Sequence, residues 1–240
     1  MCRFGLLEDN FHKPLRLYLV LAISASGLTG FDRSVKRQNA SRLNCSVRTV
    51  ERYMKELLMR NWVGKNSNTG THFIRSFETI RRQEEFYNTT AAKLYLRELE
   101  STKRFQGFCT ASIIGDRVLK KRREEERLNK NTDVHSRTLD LPPHSMPVAA
   151  NYLKPIFDLS KTTCHRLKQY AKKHGYIKIT KDIKRLRTDE ATVKCARQYD
   201  LPIPGFYRKT KQPQVYEHIK SDIITSNLEY KYRCNIERQK

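Results

Sequence analysis

Acidic residues are scarce in this chain. Of its 240 residues 25 are Asp or Glu against 48 Lys or Arg, a formal net charge of +23. A compact chain so far from neutrality repels itself, so an acidic partner is the natural counterweight. Long apolar runs are also lacking. The best, Leu17 to Ile23, falls well short of the ~20 residues of a membrane span. Lys13 and Arg16 before it and Ser24-Ala25-Ser26-Gly27 after it imitate a secretion signal, but Glu8 and Asp9 occupy what should be a positive region. We read the run as a core helix and expect no membrane partner.

Other absences narrow the chemistry. The six cysteines form no C-x-x-C pair, which argues against a zinc ribbon or finger, and their scatter suits a reducing compartment. None of the seven histidines stands in H-x-H or H-x-x-x-H, as a metal-dependent nicking site would need. There is no G-x-x-x-x-G-K-[ST] phosphate loop and no R-G-F-G-F-V-like RNA motif. No Arg-His-Arg-Tyr constellation surrounds any of the 12 tyrosines. The expectation is a protein without catalytic site, metal or cofactor.

What the chain does have is concentrated between Asn39 and Phe77. Ala40 is small enough for two helices to cross, Leu43 is apolar, Asn44 suits a turn and Cys45 is a small hydrophobe. Ser46 is placed to cap the next helix by accepting from a free backbone N–H. Val47, Val50, Met54 and Leu57 then recur at helical spacing, with Leu58 widening the stripe. On the opposite face Arg48, Arg52 and Lys55 form a basic row, a pattern suited to a major groove. Asn61 suits a left-handed C-cap, Trp62-Val63 opens a β-prone stretch, Asn66 to Thr71 is a polar turn, and His72 to Phe77 alternates out of it.

That order of elements, filling roughly Leu15 to Phe77, resembles the winged helix-turn-helix family. The resemblance implies DNA contacts by Ser46, Arg48, Thr49, Arg52 and Lys55 on the helix, and by Lys65, Asn66 and Asn68 on the wing.

A weaker copy recurs 114 residues later. Laying Ser46 on Ser160 brings Val50 onto Cys164, Leu57 onto Ala171, Asn61 onto Gly175 and Trp62-Val63 onto Tyr176-Ile177. This copy departs from the pattern where Lys154 replaces the small residue and Pro155 interrupts the supporting helix, so that helix is short or kinked. Its charge is extreme: from Lys161 to Arg187 Asp182 is the single acid. Lys161, Thr162, His165, Arg166, Gln169, Lys172 and Lys181 are the candidate phosphate contacts.

The expected fold is mainly α with small β wings, as two winged-helix domains joined by a helical connector and a Pro-containing linker. Residues 1–80 form the first domain and 81–130 a charged, solvated connector, with a helix over Ala91 to Glu100 and a break from Gly107 to Gly115. Residues 131–147 are the linker, 148–225 the second domain and 226–240 a basic tail. A hairpin opened by Tyr176 to Thr180 that closes only near Val215 to Lys220 makes a long inserted wing. Tandem modules of this kind resemble plasmid and phage replication initiators and mobile-element regulators. The implied partner is double-stranded DNA, with a second copy of the chain as a dimer partner and a cytoplasmic, nucleoid-associated location. An RNA-binding protein and a winged-helix interaction module are the competing readings.

Overall fold

The structure is a computed structural model, and it describes residues 11–25, 27–85, 90–131, 141–142, 144–148, 154, 159–181, 183–187, 206–209, 215–219 and 222–232. The described residues are mainly helical, with small antiparallel sheets. Helices α1 (His12–Ser24), α2 (Arg33–Leu43) and α3 (Val47–Met59) pack together, with strand β1 (Leu28–Thr29) between the first two. Strands β2 (Val63–Lys65) and β3 (His72–Ile74) follow, and the sheet runs in the order β1-β3-β2.

Local chemistry explains these boundaries. Asp32 caps α2 by accepting from Val35 N, and Ser46 caps α3 by accepting from Thr49 N at 3.2 Å. Asn44 and Asn61 take left-handed backbone (φ 50° and 58°) where each helix ends, a conformation asparagine tolerates better than most side chains. The predicted stripe faces inward: Leu43, Val50, Met54 and Leu57 are buried with Leu19 and Trp62. Trp62 lies edge-on to Phe11 and Tyr18 at 4.9 and 5.3 Å, and its Nε1 donates to Glu84 at 2.9 Å. Cys45 is only half-buried. The strand expected over His72 to Phe77 stops at Ile74, because Ser76 caps a further helix, α4 (Phe77–Gln83), by accepting from Thr79 N.

Several expectations for the region beyond are overturned. The helix expected over Ala91 to Glu100 is instead strand β4 (Thr90–Ala92) followed by a 3-10 turn, Leu96–Leu99. Pairing of β4 with β11 (Tyr230–Tyr232) outweighs helical propensity there. The break expected from Gly107 to Gly115 is absent, since both glycines lie inside α5 (Thr102–Asn131). They are packing sites: a Cβ on Gly107 would stand 2.8 Å from the Tyr170 carbonyl carbon, and one on Gly115 would collide with the Tyr230 hydroxyl. Nor is the segment a solvated connector. Phe105, Phe108, Cys109, Ala111, Ile113, Ile114 and Val118 are core residues, and only the charged C-terminal part of α5 is mostly exposed.

Helix α6 (Lys161–Lys173) lies along α5 and is capped by Ser160, which accepts from Thr163 N at 3.2 Å. Gly175 ends it with φ 75°. Strand β6 (Ile177–Thr180) pairs with β10 (Asp222–Ser226), which pairs in turn with β5 (Ser145–Val148). The order β5-β10-β6 repeats the β1-β3-β2 arrangement. Ser145 to Pro147 therefore belong to a sheet, not to a linker. Pro147 is tolerated because β5 is an edge strand.

The hairpin opened by β6 closes at Asp222–Ser226, later than the expected Val215 to Lys220. Between its arms stands a separate three-stranded sheet of β7 (Ile183–Arg187), β8 (Phe206–Lys209) and β9 (Val215–Ile219), in the order β7-β9-β8. Residues 226–232, the described part of the expected tail, are not basic overhang either. Ser226 ends β10, and the Tyr230 hydroxyl in β11 donates to the Ala111 carbonyl at 3.2 Å. The segment carrying Pro155 lies outside the described residues.

Candidate nucleic-acid interface

Residues on α3 divide cleanly between core and solvent. Arg48, Arg52 and Lys55 are exposed, and none makes an ion pair with a described carboxylate. Glu51 on the same side is held by Lys36 of α2 at 2.8 Å, and that bond and charge keep its carboxyl below the usual range. Thr49 is half-buried, and its hydroxyl lies 2.9 Å from the Ser46 hydroxyl. Two of the expected contacts, Ser46 and Thr49, are thus partly engaged in starting the helix.

A cleft of about 850 Å³ opens among α2, α3 and the β2–β3 hairpin. Arg48, Arg52, Lys55 and Lys65 line it, and so do Lys36, Phe31 and His72. Lys65 and Asn68 are exposed. Asn66 is spent on the turn, its side-chain carbonyl accepting from Asn68 N at 2.9 Å and Thr69 N at 3.3 Å. At the cleft His72 is buried with Nδ1 unpartnered among the described residues, and its ring lies 5.6 Å from Phe31. Burial first, then the charges of Lys65 and Lys36, hold its pKa below the ordinary value.

The second face is built the same way with fewer acids. Cys164, Leu167 and Ala171 of α6 are buried, whereas Lys161, Thr162, His165, Arg166, Gln169 and Lys172 are exposed. Lys161, Arg166 and Lys172 make no ion pair among the described residues. Lys181 is exposed but bonds Asp222 at 3.2 Å. Lys168 reaches the same carboxylate at 3.2 Å from a buried position. Burial pushes Asp222 up, but the bonds and charges of both lysines outweigh it and hold the carboxyl below its usual range.

Sequence reasoning missed Lys36, Phe31, His72 and the Lys168–Asp222 pair. One signal for the last was present, because Lys168 falls on the apolar position held by Met54 in the first copy, and a cation there demands an anion. Lys36 and Phe31 gave none, since only the folding of α2 against α3 brings them to the cleft.

Among the described residues no group of three or more His, Cys, Asp or Glu is placed to hold a metal ion, and no helix is long and apolar enough to cross a membrane. Compared with family models, with curated proteins and with solved structures, the chain finds no match in any of the three.

Proposed function

We propose that the chain is a sequence-specific double-stranded DNA-binding protein, built on two winged-helix units that present α3 and α6 to major grooves. One observation carries the reading. Twice in the chain a serine-capped amphipathic helix with an exposed cationic face leads into an antiparallel strand pair, β2–β3 directly and β6–β10 across an inserted sheet, within sheets of the same strand order. A helix is the element a major groove admits, and arginines suit guanine edges. The net charge of +23 supports an anionic partner of nucleic-acid size. The β2–β3 hairpin stands as the first wing, and β6 with β10 as the base of the second. The tandem arrangement resembles replication initiators and mobile-element regulators, and such a role, acting in the cytoplasm on nucleoid or plasmid DNA, is the one we favour.

The test is selection of bound sequences from random duplex DNA, with duplex RNA and single strands as competitors. We expect one enriched duplex motif. Replacing Arg48 or Arg52 by alanine should weaken that motif by about 1–3 kcal/mol and random duplex by less. Equal losses on both would mean phosphate contact only. Preferential capture of RNA would overturn the reading.

A further inference from the structure

The 3-10 turn Leu96–Leu99 is a single short element, yet both units are tied to it. From the first unit, the buried Arg16 guanidinium donates through Nε to the Leu99 carbonyl at 2.8 Å, and Nη2 bonds the same oxygen. Its Nη1 donates to Thr102 Oγ1 at 2.8 Å, and Nη2 also reaches the Leu43 carbonyl at 3.0 Å. From the second unit, the Tyr176 hydroxyl donates to Glu98 Oε1 at 3.4 Å. Glu98 is itself buried, and accepts from Tyr95 N at 2.9 Å and Arg97 Nε at 3.0 Å.

These anchor points adjoin the two basic helices. Leu43 closes α2 just before Ser46, the cap of α3, and Tyr176 follows the end of α6. From the turn, α5 runs on to meet α6 at Gly107, where only hydrogen fits against the Tyr170–Ala171 backbone. The apolar core is continuous across the joint, from Leu15 and Leu43 through Leu99 and Phe105 to Leu167 and Ala171. Residues 93–104 contain neither glycine nor proline. Opening the joint would break the Arg16 bonds and expose that continuous apolar core to water, so it does not open freely.

We propose that α3 and α6 are held at one fixed separation and orientation, so that the protein reads a bipartite duplex site of a single spacing, with Arg16 and Glu98 as positioning residues. This rests on the duplex-binding reading above. Modules on a slack tether tolerate changes in spacing. A rigid pair does not, because one added base pair turns a half-site by roughly 35° and shifts it by about 3.4 Å.

The experiment uses the full chain. Its selected duplex is altered so that the two halves stand one or two base pairs nearer or farther apart. The parent should lose at least tenfold in affinity at each altered spacing. Arg16→Lys, which keeps the charge but cannot span all its acceptors, should lose less than threefold while binding each isolated half as the parent does. A parent indifferent to spacing overturns the proposal, as does an Arg16→Lys protein as strict as the parent. Should Arg16→Lys fail to fold, Thr102→Val removes one bond of the set and should give an intermediate profile; an unchanged one overturns the role of the joint.

A second readout needs no DNA. Nitroxide-bearing amino acids at positions 55 and 172 should give one narrow distance distribution in the parent and a broader one in the joint variants. A broad distribution in the parent overturns the fixed geometry. A narrow one with no enriched duplex motif overturns the duplex reading, and the bipartite site with it, while the joint stands.

Discussion

Beneath α3 the inner face is closed by Met54, and at the corresponding place on α6 stands Lys168, equally buried but bonded to Asp222. The first unit needs no charge there and keeps an acid, Glu51, on its outer side, where it meets Lys36. In the second, Asp222 pairs with the buried Lys168 and the exposed Lys181, and the exposed side of α6 carries no acid at all. Two helices with the same cap and buried faces at matching positions therefore present different fields. One has arginines tempered by a neighbouring carboxylate. The other is an unrelieved cationic surface. The hairpins diverge as well, since a tight turn over Asn66–Thr71 links β2 to β3, whereas a whole three-stranded sheet stands between β6 and β10.

Exchanging the residues at that buried position should give the largest effect. Met54→Lys places an ammonium at a buried position where the acid of the adjoining cleft, Glu51, is already held by Lys36, and is expected to cost about 3–5 kcal/mol in denaturant unfolding. Replacing Lys168 and Asp222 together by apolar residues of similar size should change stability by only about 1 kcal/mol. If Met54→Lys is harmless, α3 is not packed as described.

The outer faces should differ in how they respond to salt. Each phosphate contact contributes about 0.9 to the slope of log affinity against log salt. Neutralising Lys161, Arg166 and Lys172 together should flatten that slope by up to about 3 and leave the preferred sequence intact. On the duplex-binding reading proposed above, α3 supplies more of the sequence preference and α6 more of the salt-dependent affinity; an unchanged slope with an altered base preference would show the opposite.

A smaller effect lies at the joint. His12 of α1 is buried, bonds Gln106 of α5 at 3.0 Å, and leaves Nδ1 unpartnered among the described residues. Burial, and then Lys13 and Arg16, lower its pKa from 6.5 to about 4. Between those values the unfolded chain binds a proton that the folded protein refuses. The stabilising contribution is therefore complete above pH 6.5 and is lost as pH falls toward 4, by at most about 1.4 kcal/mol per unit. His12→Gln should flatten the stability profile across that window. A parent and variant with parallel profiles would place the ring in water.

Much of the first unit was legible from residues alone. Ser46, Val50, Leu57 and Asn61 act through bonds and contacts within a few positions, and the 3.6-residue period marks the face that must be buried. The same local signals located α6, its cap and its terminal glycine. The middle of the chain was not legible in this way. Gly107 and Gly115 read as breaks because their reason for being glycine is the Tyr170–Ala171 backbone and the Tyr230 hydroxyl, both distant in sequence. Ala91 to Glu100 reads as helix because its strand partner lies near residue 231. In the cleft, Arg48, Arg52, Lys55 and Lys65 could be nominated from spacing, while Phe31, Lys36 and His72 could not.

Composition and short-range pattern by themselves determined the cationic character, the two capped helices and the faces they bury, because charge is a sum and helical period is local. Tertiary structure alone decided that α5 is a core helix, that the chain's last described strand folds back onto β4, and that one turn takes Arg16 from one unit and Glu98's partner Tyr176 from the other. Those outcomes depend on which distant groups can bury a charge or fill a gap together, and no window of neighbouring residues contains both sides of that match.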